Sequence, residues 1–440
     1  MFFRAISLSI CMVLLMGALI GCGTPASDHR DETPKEVETV VDKNKDDVTI
    51  TFWVPGADEA NDTYFTNVAK EFETLNPHIK VETTVLPPSG HDINKKLATA
   101  MLSDDYPDVF SSYLGIFRAR SPKGEFYDMT EYINKWSDKE DIFEGALNMG
   151  TYKGAFYGLA FFPAPEIGVY RKDYFEEAGL EPEQPPTTWE ELAEYARKLV
   201  QRDNKGIVTR AGLDIPLMNT AIFVRTMMKQ NGSPVVDEEK GEPSFTDEGA
   251  VETLDFIAKL AQEKVNIPFD YQKKVEIPFV KGNSAMSYLQ TSQIAQMIVN
   301  DPSMKEKIGF IPVMERKKKV SFCGYRLFTI GAKTQYPDEA WRLIEFMMTK
   351  EQMMERSKQL NIPVVRKSLK EEFITLNPEL HKTILEYVEY GKGAEAVPWV
   401  SSLTKKLDIA FQEAYNGKKS SVQALKDAEE NLRKDLEKKK

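Results

Sequence analysis

From Val48 the chain alternates: Val48, Ile50, Phe52 and Val54 sit on one face and Thr49, Thr51 and Trp53 on the other. That period of two predicts a strand. Phe65, Val68, Ala69 and Phe72 then recur at helical spacing, and Asn76-Pro77 predicts the stop. Ile79, Val81, Thr83 and Val85 alternate again. Strand, helix and strand at this spacing form the βαβ unit of a parallel sheet. Leu97, Ala98, Met101 and Leu102 predict the next helix, and Pro107 to Phe110 the next strand end. Ligands in such sheets sit beyond the carboxyl ends of strands, here Trp53 to Asp58 and Ser111 to Leu114.

The middle of the chain is read as mostly helical. Trp189 to Val200 is a helix, with Thr187 and Thr188 as capping candidates and Glu190 and Glu191 in its first turn. Residues 221–229, 250–264 and 340–349 carry further apolar faces, and 403–415 and 422–436 are amphipathic and rich in Lys and Glu.

The N-terminus follows another pattern. Arg4 precedes an apolar run from Leu8 to Ile20, ending in Leu19-Ile20-Gly21-Cys22. A basic start and a short apolar segment describe a secretory signal over residues 1–21, too short to span a bilayer as a helix. The Leu-x-Gly-Cys ending resembles the bacterial lipoprotein box, which implies lipidation of Cys22 and membrane attachment through acyl chains. Residues 22–47 are polar and charged, and the expectation is a flexible tether.

Composition narrows the function. The remaining body of about 390 residues suggests two or three domains. With 57 Lys and Arg against 68 Asp and Glu, the formal net charge is −11, which argues against nucleic acid as a partner. Of three cysteines, Cys11 leaves with the signal and Cys22 is the lipidation candidate, so Cys323 has no partner for an intrachain disulfide. His29, His78, His91 and His381 show no metal-ligand spacing, so neither metal nor other cofactor is expected. Phosphate-binding Gly motifs and the Gly-x-Ser-x-Gly elbow are missing, and acidic pairs such as Asp104-Asp105 arise readily among 68 acids. No catalytic constellation emerges.

Aromatic residues instead populate the connections: Trp53, Tyr113, Phe156-Tyr157, Phe161-Phe162, Tyr288, Tyr325 and Trp399. Rings beside amide and carboxylate groups suit a sugar, whose C–H faces stack and whose hydroxyls need partners.

Several segments together resemble the extracellular solute-binding proteins of ATP-driven sugar importers, the class that includes maltose-binding protein. They are Val48 to Trp53, Phe72 to Val81, Tyr106 to Phe110, Tyr157 to Phe161, Tyr170 to Leu180, Pro186 to Leu192, Phe279 to Met286, Gly324 to Ile330, Pro337 to Trp341 and Ala424 to Ala428, in that order. The resemblance implies a two-lobe α/β fold of the type II periplasmic-binding-protein kind, hinged over a ligand cleft. It assigns 48–163 and 317–365 to one lobe, and 164–316 and 366–440 to the other. It also implies ligand contacts from Trp53, Gly56, Asp58, Tyr113, Leu114, Phe162, Glu166, Asn219, Tyr288, Gln290, Thr291, Tyr325, Arg326 and Trp399. Asp58 and Glu166 would accept hydroxyl protons, and Trp53, Tyr288 and Trp399 would stack. The chain departs from the family at Pro55, where an amide is common, and at Ser287-Tyr288-Leu289, where many members carry Gly-x-Trp.

The implied role is capture of a carbohydrate, an oligosaccharide, by a monomer that delivers it to an ABC permease without turnover. Lipidation and missing disulfides fit the outer face of a Gram-positive membrane, a periplasmic face being the alternative. Two rivals remain: a lipid-anchored glycoside hydrolase, and a binder of a non-sugar or acidic solute, toward which Arg326 would lean.

Overall fold

The opening alternation becomes a parallel pair. β1 (Val48–Val54) and β2 (Ile79–Val85) run in register from Val48 against Ile79 to Val54 against Val85. Helix Glu59–Leu75 crosses between them and buries Phe65, Val68 and Phe72. It ends where Asn76 folds its side-chain amide onto the Phe72 carbonyl at 3.0 Å, just ahead of Pro77. β3 (Val109–Tyr113) joins the other edge of β1, Phe52 opposite Val109. β2 is the outermost strand, and exposed Lys80 and Glu82 guard it against pairing with other chains.

The computed structural model describes residues 47–438, except 55, 57–58, 88–89, 104, 216–219, 238, 267–276 and 396. The expected signal, Cys22 and the tether through residue 46 lie outside the described residues, as do Asp58 and Asn219. Asp46–Lys440 forms one compact unit.

Its central element is β4 (Leu159–Arg171), 13 residues long. The periodicity of this stretch does not predict a strand, because nearly every position is buried and no alternation survives. Leu159–Pro165 pairs antiparallel with β7 (Ser321–Ile330). Glu166–Arg171 pairs instead with β5 (Met286–Gln290) and β6 (Ile308–Ile311). The sheet runs β5-β4-β7-β3-β1-β2, with β6 also on β4 and the two-residue β8 (Gly391–Lys392) on β7. Pro163 and Pro165 remove two backbone donors from β4 just before its partners change.

Two buried cores flank this strand. In the first, the Phe161 and Phe328 rings stack with centroids 3.7 Å apart, and Phe65 meets Phe161 edge-on at 5.9 Å. Ile294 and Met297 of helix Thr291–Asn300 and Ile384 and Val388 of helix Pro378–Glu389 join it. The second is helical, packing Trp189, Leu254, Leu403, Phe411 and Leu425. The cap expected before Trp189 is present: the Thr188 hydroxyl accepts from Glu191 N–H at 3.2 Å, and the Glu191 carboxylate accepts from Thr188 N–H at 3.2 Å. β4 feeds both cores, Phe161 and Ile167 into the first and Tyr170 into the second.

Two buried ionisable groups give the fold measurable electrostatics. Glu395 is 4% exposed and paired with Arg225 and, at 2.9 Å, with Lys229, both on helix Thr220–Gln230. Burial alone would raise the Glu395 pKa, but the two cations outweigh it and hold the carboxyl below its ordinary value. Glu395→Ala strands the buried Arg225 and is expected to cost about 3–5 kcal/mol in urea unfolding. A loss under about 1 kcal/mol would show that the triad is not holding Gly391 to Glu395 in place.

Asp214 is 8% exposed, has the Ser287 hydroxyl 3.4 Å away, and is pushed up by burial to about 7. The folded state thus keeps a proton that the unfolded chain releases near pH 4. Asp214 therefore makes stability fall as pH rises from about 4 to 7. Asp214→Asn removes the charge and is expected to stabilise the protein by a few kcal/mol at pH 8 and by much less at pH 4. Urea midpoints at both pH values test this, and an equal shift at both contradicts it.

Candidate ligand cleft

The site begins where three strands lie side by side. Arg326 on β7 stands opposite Tyr113 on β3 and opposite Phe162 on β4. This register puts a cation between two rings, with its guanidinium 4.5 Å from the Tyr113 centroid and 5.4 Å from that of Phe162. Arg326 also donates a hydrogen bond to the Tyr113 hydroxyl. The pairing of β7 with β4 shifts register between Arg326 and Leu327, an irregularity of the kind that re-aims side chains beside binding sites.

Both strand ends beyond this row open onto one chamber of about 660 Å³. Tyr113 ends β3 and starts helix Leu114–Arg120, so Tyr113 and Leu114 occupy the carboxyl end expected of a ligand-facing strand. From the other side Gln290 ends β5 opposite Glu166, its N–H held by the Gln293 side chain at 2.9 Å, and Thr291 follows. The chamber is lined by Tyr113, Leu114, Phe162, Glu166, Gln290, Thr291, Tyr325 and Arg326. Eight of the fourteen expected residues thus meet at one cavity. Glu166 is 6% exposed and lies at the residue where β4 changes partners.

The other expected residues are placed as follows. Tyr288 is half-buried one step deeper, in a smaller void with Glu166, Met314 and Tyr387, its ring 5.1 Å from that of Phe223. Trp53 belongs to the first core, with the Lys96 ammonium 4.3 Å from its ring centroid, and does not line the chamber. Gly56 is buried because the Leu86 carbonyl oxygen sits 1.7 Å from where a Cβ would be, so its role is close backbone packing. Trp399 packs against the second core, also off the chamber.

The lining holds residues that the sequence reading did not single out. Asn61 sits on helix Glu59–Leu75, and Gln359–Ile362 turns off helix Lys350–Leu360 through Asn361 at φ 52°. Ile222, Phe322, Gly324 and Ala394 complete much of the wall. Phe322 and Gly324 were within reach, being neighbours on the strand that carries Tyr325 and Arg326; for Gln359–Ile362 no sequence signal exists. Among the described residues there is no group of three or more His, Cys, Asp and Glu suited to a metal, and no helix long and apolar enough to cross a membrane.

Known proteins share this architecture. A putative binding protein of Brucella abortus (strain 2308) is 23% identical over 374 residues, covering 83% of this chain and 88% of that protein. The sugar-binding protein MalE of Xanthomonas citri superposes with a TM-score of 0.79 at 19% identity, over 89% of this chain and 98% of that one. A solute-binding protein of Thermotoga lettingae, solved with alpha-D-tagatose, gives 0.71 at 22% identity over 88% and 99%. The fold is thus the two-lobe, type II periplasmic-binding-protein-like fold. Residues 56–354 match the model of the bacterial extracellular solute-binding proteins, and the chain belongs to that family.

Proposed function

We propose that the chain captures a carbohydrate in this cleft and passes it unaltered to an ABC permease. The observation that carries the reading is the ring-lined chamber itself. Tyr113 and Phe162 offer aromatic surface, and Glu166, Gln290, Thr291 and Asn61 bring carboxylate, amide and hydroxyl groups to the same space. A sugar needs both kinds of contact at once. The sugar-binding X. citri protein and the tagatose-bound T. lettingae protein support the same class of ligand.

In this reading the lobes are 48–163 with 317–365, and 164–316 with 366–440. Ligand contacts from both favour the closed form, which docks on the permease. Export by residues 1–21 and lipidation of Cys22 would hold the monomer at the outer membrane face. Asp58 and Asn219 would add polar contacts to the set, and the Tyr288 ring, in the void that shares Glu166 with the chamber, would act from its margin.

A thermal-shift screen of the purified protein over mono- and oligosaccharides, uronates and peptides tests the reading. A saccharide at 100 times its Kd is expected to add about 2.7 kcal/mol of stability. Phe162→Ala is expected to weaken that binding about tenfold or more in calorimetry while the unliganded protein stays folded. Stabilisation by peptides alone, or release of a cleaved sugar on incubation, would overturn it.

A further inference from the structure

A second chamber, of about 740 Å³, adjoins the first, and Ala394 lines both. A smaller void shares Ile222, Phe322 and Ala394 with the first chamber and Lys392 and Ala394 with the second. Each chamber alone falls in the size range of a small-ligand pocket, so the pair suits an extended ligand rather than a single sugar ring.

The second chamber differs in charge. Arg118, Lys229, Lys318 and Lys392 line it, against the acids Asp237 and Glu395. Both acids are already engaged: Asp237 with Lys240 at 2.9 Å, outside the lining, and Glu395 with Arg225 and Lys229. Lys318 belongs to the run Arg316 to Lys319, whose other members are all neutralised. Arg316 meets Glu190 at 3.2 Å, Lys317 meets Glu252 at 3.6 Å and Lys319 meets Glu386 at 2.7 Å. The one cation of the four that faces the chamber has no carboxylate partner among the described residues, and the same holds for Lys392 opposite. In a chain of net charge −11, unpaired positive charge at a cavity wall marks the place for an anion. Asn148, Thr151, Ser233 and Ser244 add hydrogen-bonding groups around it.

We propose that the ligand is an anionic oligosaccharide, with a sugar unit in the ring-lined chamber and a carboxylate or sulfate substituent seated between Lys318 and Lys392. This rests on the carbohydrate reading above and specifies its substrate class. Both lysines are exposed and belong to neither core, so removing their charge leaves the cores untouched.

The test is calorimetry with a panel of uronate and sulfated oligosaccharides, each beside its carboxyl-reduced or desulfated counterpart. Lys318→Met/Lys392→Met is compared with the parent protein. A charged member is expected to bind at least tenfold tighter than its uncharged counterpart. That preference should fall below threefold in the double variant, and shrink in 0.5 M NaCl as screening predicts. Whether uronates or sulfate esters show it tells the two anions apart. Uncharged sugars binding as tightly as charged ones, or a preference that survives the double variant, overturns the proposal and leaves the carbohydrate reading standing. No binding by any saccharide, charged or not, overturns both.

Discussion

One strand exchanging its neighbours is the constraint on which the rest of this molecule depends. Over seven residues β4 is held by β7, and over the next six by β5 and β6. A strand cannot offer the same edge to two partners at one residue, so the ladder must break where they meet. The break falls between Pro165 and Glu166. Because the two proline nitrogens carry no hydrogen, the gap forms without orphaning their donors. What fills the space above the break is the cleft, with Glu166 at its floor.

The rings follow from the same geometry. Phe161 points into the first core, where it stacks on Phe328. Its neighbour Phe162, opposite Arg326 where the pairing shifts register, lines the chamber instead. One residue serves stability and the next serves the cleft, on strands whose cross-strand partners are fixed by the core. Arg326 shares this row, and its contact with Tyr113 and Phe162 holds both rings without a covalent restraint. Cys323 nearby adds none either: it is a buried free thiol, pushed up to about 12 by burial.

Local pattern made much of the fold legible and little of the long-range pairing. The stop at Asn76-Pro77 and the Thr188–Glu191 cap rest on contacts within a few residues, the βαβ opening rests on the period within each of its elements, and each stands where the pattern put it. β4 did not show itself, because burial on both faces erases the period of two and its prolines read as a loop. The chamber was legible where its lining residues lie on strands or at strand ends: Tyr113, Leu114, Phe162, Glu166, Gln290, Thr291, Tyr325 and Arg326. It was not legible at Gln359–Ile362 or Ala394, which reach the chamber only through tertiary packing. Trp53 and Gly56 show the reverse case, since a strand end beside the cleft also needs a ring to seal the core and a glycine to admit the Leu86 carbonyl.

Closure of such a cleft requires a place that bends and a place that does not. Just past the break, the Tyr387 hydroxyl accepts from Gly168 N–H at 3.1 Å and donates to the Ile311 carbonyl at 3.0 Å. A residue of the first core thus grips β4 and β6 beyond the crossing. Gly168 makes the grip possible: a Cβ there would lie 2.7 Å from Ile311 Cβ and 3.1 Å from the Tyr387 hydroxyl. Buried hydrogen bonds of this kind cannot open to water cheaply, so the backbone around Gly168 stays fixed. Before Glu166 the strand is held differently: Pro163 and Pro165 carry no backbone donor, and each ring fixes its own φ. The Glu166 carboxylate therefore enters the chamber at the residue where one set of strand neighbours gives way to the other, just ahead of the backbone that Tyr387 grips.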